Sequence, residues 1–156
     1  MLRVLPLFAV FAAVLPAADT AFAHCQVPCG IYGDQRVFEE LLEHHATITK
    51  ATLQIGELTG KMSGGPDAQD VNQLTRWVSN KESHAQLVQE RMLNYFLAQR
   101  IKADKPNYVE QLKTAHAVIV AAMKCKQSGV PGAHDALEAA ILDFYRAYEG
   151  KEPVFE

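Results

Sequence analysis

Beyond Gly33, apolar side chains recur at three- and four-residue intervals, the period of a helix with one buried face. Val37, Leu41, Ile48 and Ile55, with Leu42 and His45 beside them, carry this pattern to about Gly60 and predict a first helix over Asp34 to Lys61. The Gly and Pro content of Met62 to Pro66 marks a turn, and Pro66 or Asp67 opens the next helix. Its stripe of Val71, Leu74, Trp77, Val78, His84, Leu87, Val88, Met92, Tyr95, Phe96 and Leu97 extends to about Arg100. Lys105-Pro106-Asn107 interrupts the pattern. Tyr108, Leu112, Ala115, Ile119, Ala122 and Met123 then form a third stripe that ends before Ser128-Gly129. After Val130-Pro131-Gly132, a fourth stripe of Leu137, Ala140, Ile141, Phe144, Tyr145 and Tyr148 is closed by Gly150. Four amphipathic helices joined by short loops predict an all-α, up-down antiparallel four-helix bundle over residues 34–156. Trp77, Tyr95, Phe96, Phe144 and Tyr145 lie on the stripes and are expected in the core or at subunit contacts.

The first residues follow a different rule. Arg3 gives a basic start, Val4 to Ala18 is almost wholly apolar, and Ala21-Phe22-Ala23 has the small-x-small form that signal peptidase cleaves. Pro6 and Pro16 bracket the apolar run, which falls short of the roughly 20 residues a permanent anchor needs. Residues 1–23 are therefore expected to be a secretory signal peptide removed by signal peptidase, leaving no permanent membrane anchor and a mature chain that begins at His24. The periplasm is the expected destination, with lumenal or extracellular sites as alternatives.

At 156 residues, 49% of them hydrophobic, the chain is of one-domain size with enough apolar material for a real core. A formal net charge of −3 without a long run of one sign gives no electrostatic footprint for nucleic acid, so DNA and RNA are not expected partners. A di-iron centre in a helical bundle needs Glu-x-x-His on two helices, and no such spacing occurs. His44, His45, His84, His116 and His134 read as surface or satisfied core histidines, and Cys125 as a small buried apolar residue.

The chemistry concentrates at residues 24–33. Once Ala23 is removed, His24 offers an α-amine and an imidazole, Cys25 a backbone nitrogen and a thiolate, and Cys29 a second thiolate. Amine, amide nitrogen and Cys25 sulfur form adjoining chelate rings, which favour planar N,S coordination and hence nickel or copper over tetrahedral zinc. Pro28 and Gly30 turn the chain so that Cys29 closes the fourth corner, which leaves the imidazole for an axial position. Two cysteines in an exported chain would ordinarily suggest a disulfide. A disulfide, however, explains neither the histidine at the cleavage site nor the Pro28-Cys29-Gly30 continuation to Tyr32; without metal, the thiolates would oxidise to that same bond.

The run His-Cys-x-x-Pro-Cys-Gly-x-Tyr at His24 to Tyr32 resembles the nickel hook of the nickel-containing superoxide dismutases, and the helical remainder is similar to their four-helix subunit. The resemblance implies disproportionation of superoxide to dioxygen and hydrogen peroxide, with one nickel per chain cycling between its divalent and trivalent states. It assigns the planar ligands to the His24 amine, the Cys25 amide nitrogen and the thiolates of Cys25 and Cys29, and an axial position to the His24 imidazole. Thiolate and deprotonated amide are strong donors that stabilise trivalent nickel. By the same resemblance Tyr32 stands over the open face of the metal and positions small anions, the Val27-Pro28 bond is cis, and Glu40 accepts a hydrogen bond from the axial histidine and orients it. It also implies a homohexamer. Gln26 stands where the family often has Asp. A family arginine that supports the glutamate has no clear counterpart; a gapless match from Thr75-Arg76 puts His84 in its place, which nominates His84 or Arg76.

Two other functions compete. A copper enzyme using His24 as an amine-plus-imidazole chelate is disfavoured by the helical pattern and the thiolates. An exported nickel or copper carrier built on the same His24, Cys25 and Cys29 would bind metal without dismutation.

Overall fold

Asp67 caps the second helix, accepting a 2.7 Å hydrogen bond from the Asp70 backbone N–H, and thereby ends the turn that the glycines and Pro66 begin. Gly65 in that turn has φ +97°, a conformation L side chains rarely adopt. A computed structural model describes residues 33–129 and 132–155. Helix α1 spans Asp34–Lys61, followed by a short 3-10 turn at Met62–Gly64. Helix α2 spans Ala68–Arg91 and continues as a π-helical segment, Met92–Arg100. Helices α3 (Tyr108–Gln127) and α4 (Gly132–Glu149) complete the chain. These bounds agree with those read from the apolar stripes, except that the last nine residues of the second helix are in the π register. The expected leader 1–23 and the hook, apart from Gly33, lie outside the described residues.

Each helix packs antiparallel to the next. The start of α1 meets the end of α4, where Tyr145 donates to the Gln35 side chain at 3.0 Å. Arg91, closing α2, reaches Glu40 near the start of α1. Lys81 of α2 donates to the carbonyls of Cys125, Lys126 and Ser128 at 2.5, 2.9 and 2.9 Å, so a buried ammonium satisfies the last turn of α3. The result is the all-α, up-down four-helix bundle expected from the pattern. None of the described helices is long and apolar enough to cross a membrane.

The core is aromatic at one end. Phe38 is fully buried, with ring centroids 4.9 Å from Phe96, 5.5 Å from Phe144, 4.8 Å from Tyr145 and 5.9 Å from Tyr148. Leu41, Ile48, Val88, Val118, Leu137 and Ile141 continue it through the bundle. The stripe loses one partner toward the α1–α2 turn: Val71 and Val78, expected in the interior, are 48% and 38% exposed, because α3 ends beside Lys81 and leaves α2 before that level packed against α1 without α3. Truncating Phe38 leaves a void among four rings. Phe38→Ala is expected to cost about 3–5 kcal/mol of unfolding free energy, read as a lowered denaturant midpoint.

Candidate metal centre and its support

The aromatic end of the bundle is also where the N-terminal segment joins it. Asp34, the first residue of α1, is half-buried there, and its carboxylate accepts hydrogen bonds from Tyr95 (2.6 Å), Arg100 (2.7 Å) and Tyr148 (2.8 Å). Burial alone would raise its pKa, but these three donors together bring it below the usual carboxylate value. Burial and the neighbouring carboxylate push the Tyr148 phenol up, so it stays a donor.

Six residues further along α1, about 9 Å at the helical rise, Glu40 forms an ion pair with Arg91 of α2. His44, one turn on, brings Nε2 to 3.8 Å from the same carboxylate and Nδ1 to 3.1 Å from Nδ1 of His84 on α2. The two imidazoles meet edge to face, with centroids 5.0 Å apart. Burial, and then the proximity of His84, lower the His44 pKa against the opposing pull of Glu40. Beside Glu40 an open cleft of about 480 Å³ is lined by Arg36, Glu39, Glu43, Arg91 and Tyr95 among others.

Of the residues nominated from the sequence, His24, Cys25, Cys29 and Tyr32, and the Val27-Pro28 bond, lie outside the described residues. Glu40 is described. The arginine beside it is neither of the substitutes nominated: His84 contacts His44 rather than Glu40, and Arg76 is exposed on the far part of α2. Arg91 is the residue that pairs with Glu40. A linear, gapless comparison missed it because the pairing depends on the register of two antiparallel helices. Counting equal steps outward from Gly65 sets Glu40 opposite residue 90, one from Arg91, and His44 opposite residue 86, two from His84. That count was available in the sequence.

Among the described residues no group of three or more His, Cys, Asp or Glu side chains is arranged to hold a metal ion. Cys125 is buried, burial raises its pKa, and its thiol donates to the Ala133 carbonyl at 3.2 Å. The His- and Cys-bearing run that the sequence nominates, His24, Cys25 and Cys29, lies before Gly33, and nitrogen and thiolate donors of that kind suit nickel.

The described residues form an all-α four-helix bundle with a carboxylate–arginine pair near the end where a His- and Cys-bearing segment enters. A family model described as nickel-containing superoxide dismutase matches residues 19–152, and the chain belongs to that family. It is a superoxide dismutase, a nickel-dependent oxidoreductase that converts superoxide to dioxygen and hydrogen peroxide. No curated protein and no solved structure matches the chain significantly.

Because the native state disfavours protonation of His44 and His45, both lowered chiefly by burial, the unfolded chain takes up more protons than the folded one below the ordinary value of 6.5. Stability is then full above that pH and falls as acid is added, down to the lowered folded values. The urea midpoint of nickel-free protein is expected to drop between about pH 7.5 and about pH 5.5, and His44→Gln to flatten the dependence.

Proposed function

We propose that the dismutase site of this chain is made by processing: signal peptidase removes residues 1–23, and His24, Cys25 and Cys29 would hold one nickel through the His24 amine and imidazole, the Cys25 amide nitrogen and both thiolates. Nickel, when bound, supplies the one-electron couple that superoxide reduces and oxidises in turn. The Tyr32 phenol positions superoxide or water and restricts approach to the site. Glu40 accepts from the imidazole and sets the ring's orientation, and Arg91 holds the carboxylate in place. The single observation that supports this reading is the Glu40–Arg91 ion pair, two helical turns from the point where the His24–Tyr32 segment enters α1. A carboxylate held by an ion pair beside that entry is what an orienting acceptor requires.

The same reading takes the mature protein to the periplasm as a homohexamer of such bundles. The α1–α2 projection supports self-association, since Leu53, Val71 and Val78 expose apolar surface there.

N-terminal sequencing of protein recovered from the periplasmic fraction, with metal analysis and native mass, tests the processed site: His24 first, one nickel per chain and a six-chain mass are expected. Cys25→Ser and Cys29→Ser should each lose nickel and dismutation, and a variant that keeps both sinks the ligand assignment. Arg91→Ala should lower nickel affinity or turnover by about 10–100-fold with Arg91→Lys restoring part of it; unchanged kinetics would remove Arg91 from the site.

A further inference from the structure

Helix α1 has no side-chain N-cap, since Gly33 precedes it, yet its first two residues are held by side chains and backbone from three other parts of the chain. Asp34 takes its bonds from Tyr95 and Arg100 of the π-helical segment and from Tyr148 of α4. Gln35 accepts from Tyr145 of α4 at 3.0 Å and donates to the Val154 carbonyl of the C-terminal tail at 3.0 Å. Helix starts ordinarily fray. This one is the most heavily cross-linked point of the described chain by side-chain hydrogen bonds between distant elements.

The π register explains how Tyr95 and Arg100 reach one carboxylate. In an α-helix, residues five apart point about 140° away from each other. The π register closes i→i+5 hydrogen bonds, as in Ile101 N–H to the Phe96 carbonyl at 2.9 Å, and brings such residues onto one side. Met92–Arg100 thus departs from α-geometry where doing so delivers two donors to Asp34. Bundle stability alone does not call for this, because an apolar contact or a capping Ser at position 33 would hold the helix start at less desolvation cost. What the arrangement adds is a fixed placement of the helix start, Gly33 and Asp34, relative to Glu40 on the same helix.

We infer that Asp34, clamped by Tyr95, Arg100 and Tyr148, is a positioning residue for the metal hook: it fixes where residues 24–32 leave the bundle, and so whether the His24 imidazole meets Glu40. The inference rests on the proposed hook. Asp34 touches neither metal nor substrate and acts only through the segment it roots.

The test uses full-length, processed, nickel-loaded protein. For Asp34→Ala, Tyr148→Phe and, as a reference, the buried but distant Leu137→Ala, it measures nickel release to a chelator, the nitrogen hyperfine pattern in the electron paramagnetic resonance spectrum of the oxidised protein, and the thermal midpoint. Asp34→Ala is expected to release nickel about 10–100-fold faster and to weaken the nitrogen pattern. Tyr148→Phe, which removes one donor and keeps the fold, should do the same to a smaller degree. Leu137→Ala, at the far end of α4 from the clamp, should lower the midpoint most while leaving release and spectrum near wild type. Midpoints that fall in Asp34→Ala and Tyr148→Phe with wild-type release and spectrum would overturn the inference and leave the clamp a purely structural device. Failure of the hook itself looks different: Cys25→Ser would retain nickel in an otherwise wild-type chain, which overturns both readings.

Discussion

Phe38 has to be dry, and four aromatic rings from the π-helical segment and α4 enclose it. That requirement fixes the azimuth of α1, because a helix with one large side chain locked in a core has little freedom to rotate. With Phe38 inward, Asp34 one turn before it lies at the polar margin of the same cluster, within reach of the hydroxyls of Tyr95 and Tyr148. Glu40 turns toward α2 and meets Arg91. The two carboxylates proposed to serve the site are thus placed by an apolar contact that takes no part in the chemistry.

Helix existence and bounds were legible in the chain because they depend on local signals: apolar periodicity, the Gly-Gly-Pro turn, Asp67 as a cap, and Gly150 with φ +70° closing α4. The donor set proposed for the hook rests on local signals too, since five donors within six residues need no tertiary information. Less was visible where two distant segments had to be set against each other. Arg91 was overlooked in favour of His84 and Arg76 because a linear offset carries no information about antiparallel register. The π register of Met92–Arg100 has no local signature, as the segment contains neither Gly nor Pro and reads as a continuation of α2. It becomes intelligible only once Asp34 is known to lie across from it. Val71 and Val78 were placed inside by their spacing, which reports a face but not whether a neighbour extends far enough to cover it.

The division of labour between segment and bundle follows from what each can supply. A short run of nine residues can supply strong donors for a metal, but its sequence alone sets no ring at a fixed angle. A bundle can hold angles, but its described interior offers no soft ligand cluster. Joining the two at one helix start lets a bundle stabilised by ordinary packing serve a redox centre, provided that the junction is rigid.

Cys125 shows what such an enzyme must keep apart. The proposed hook exposes two thiols during maturation, before metal protects them, and any third reactive thiol would compete to form mixed disulfides with either one. In Cys125 that competitor is neutral, enclosed between α3 and α4, and committed to the Ala133 carbonyl. Its concealment also shields it from the hydrogen peroxide the enzyme releases, which attacks accessible thiolates first. The bundle therefore does more than present the hook: by withdrawing its own sulfur it leaves the two hook cysteines to find only the metal or each other.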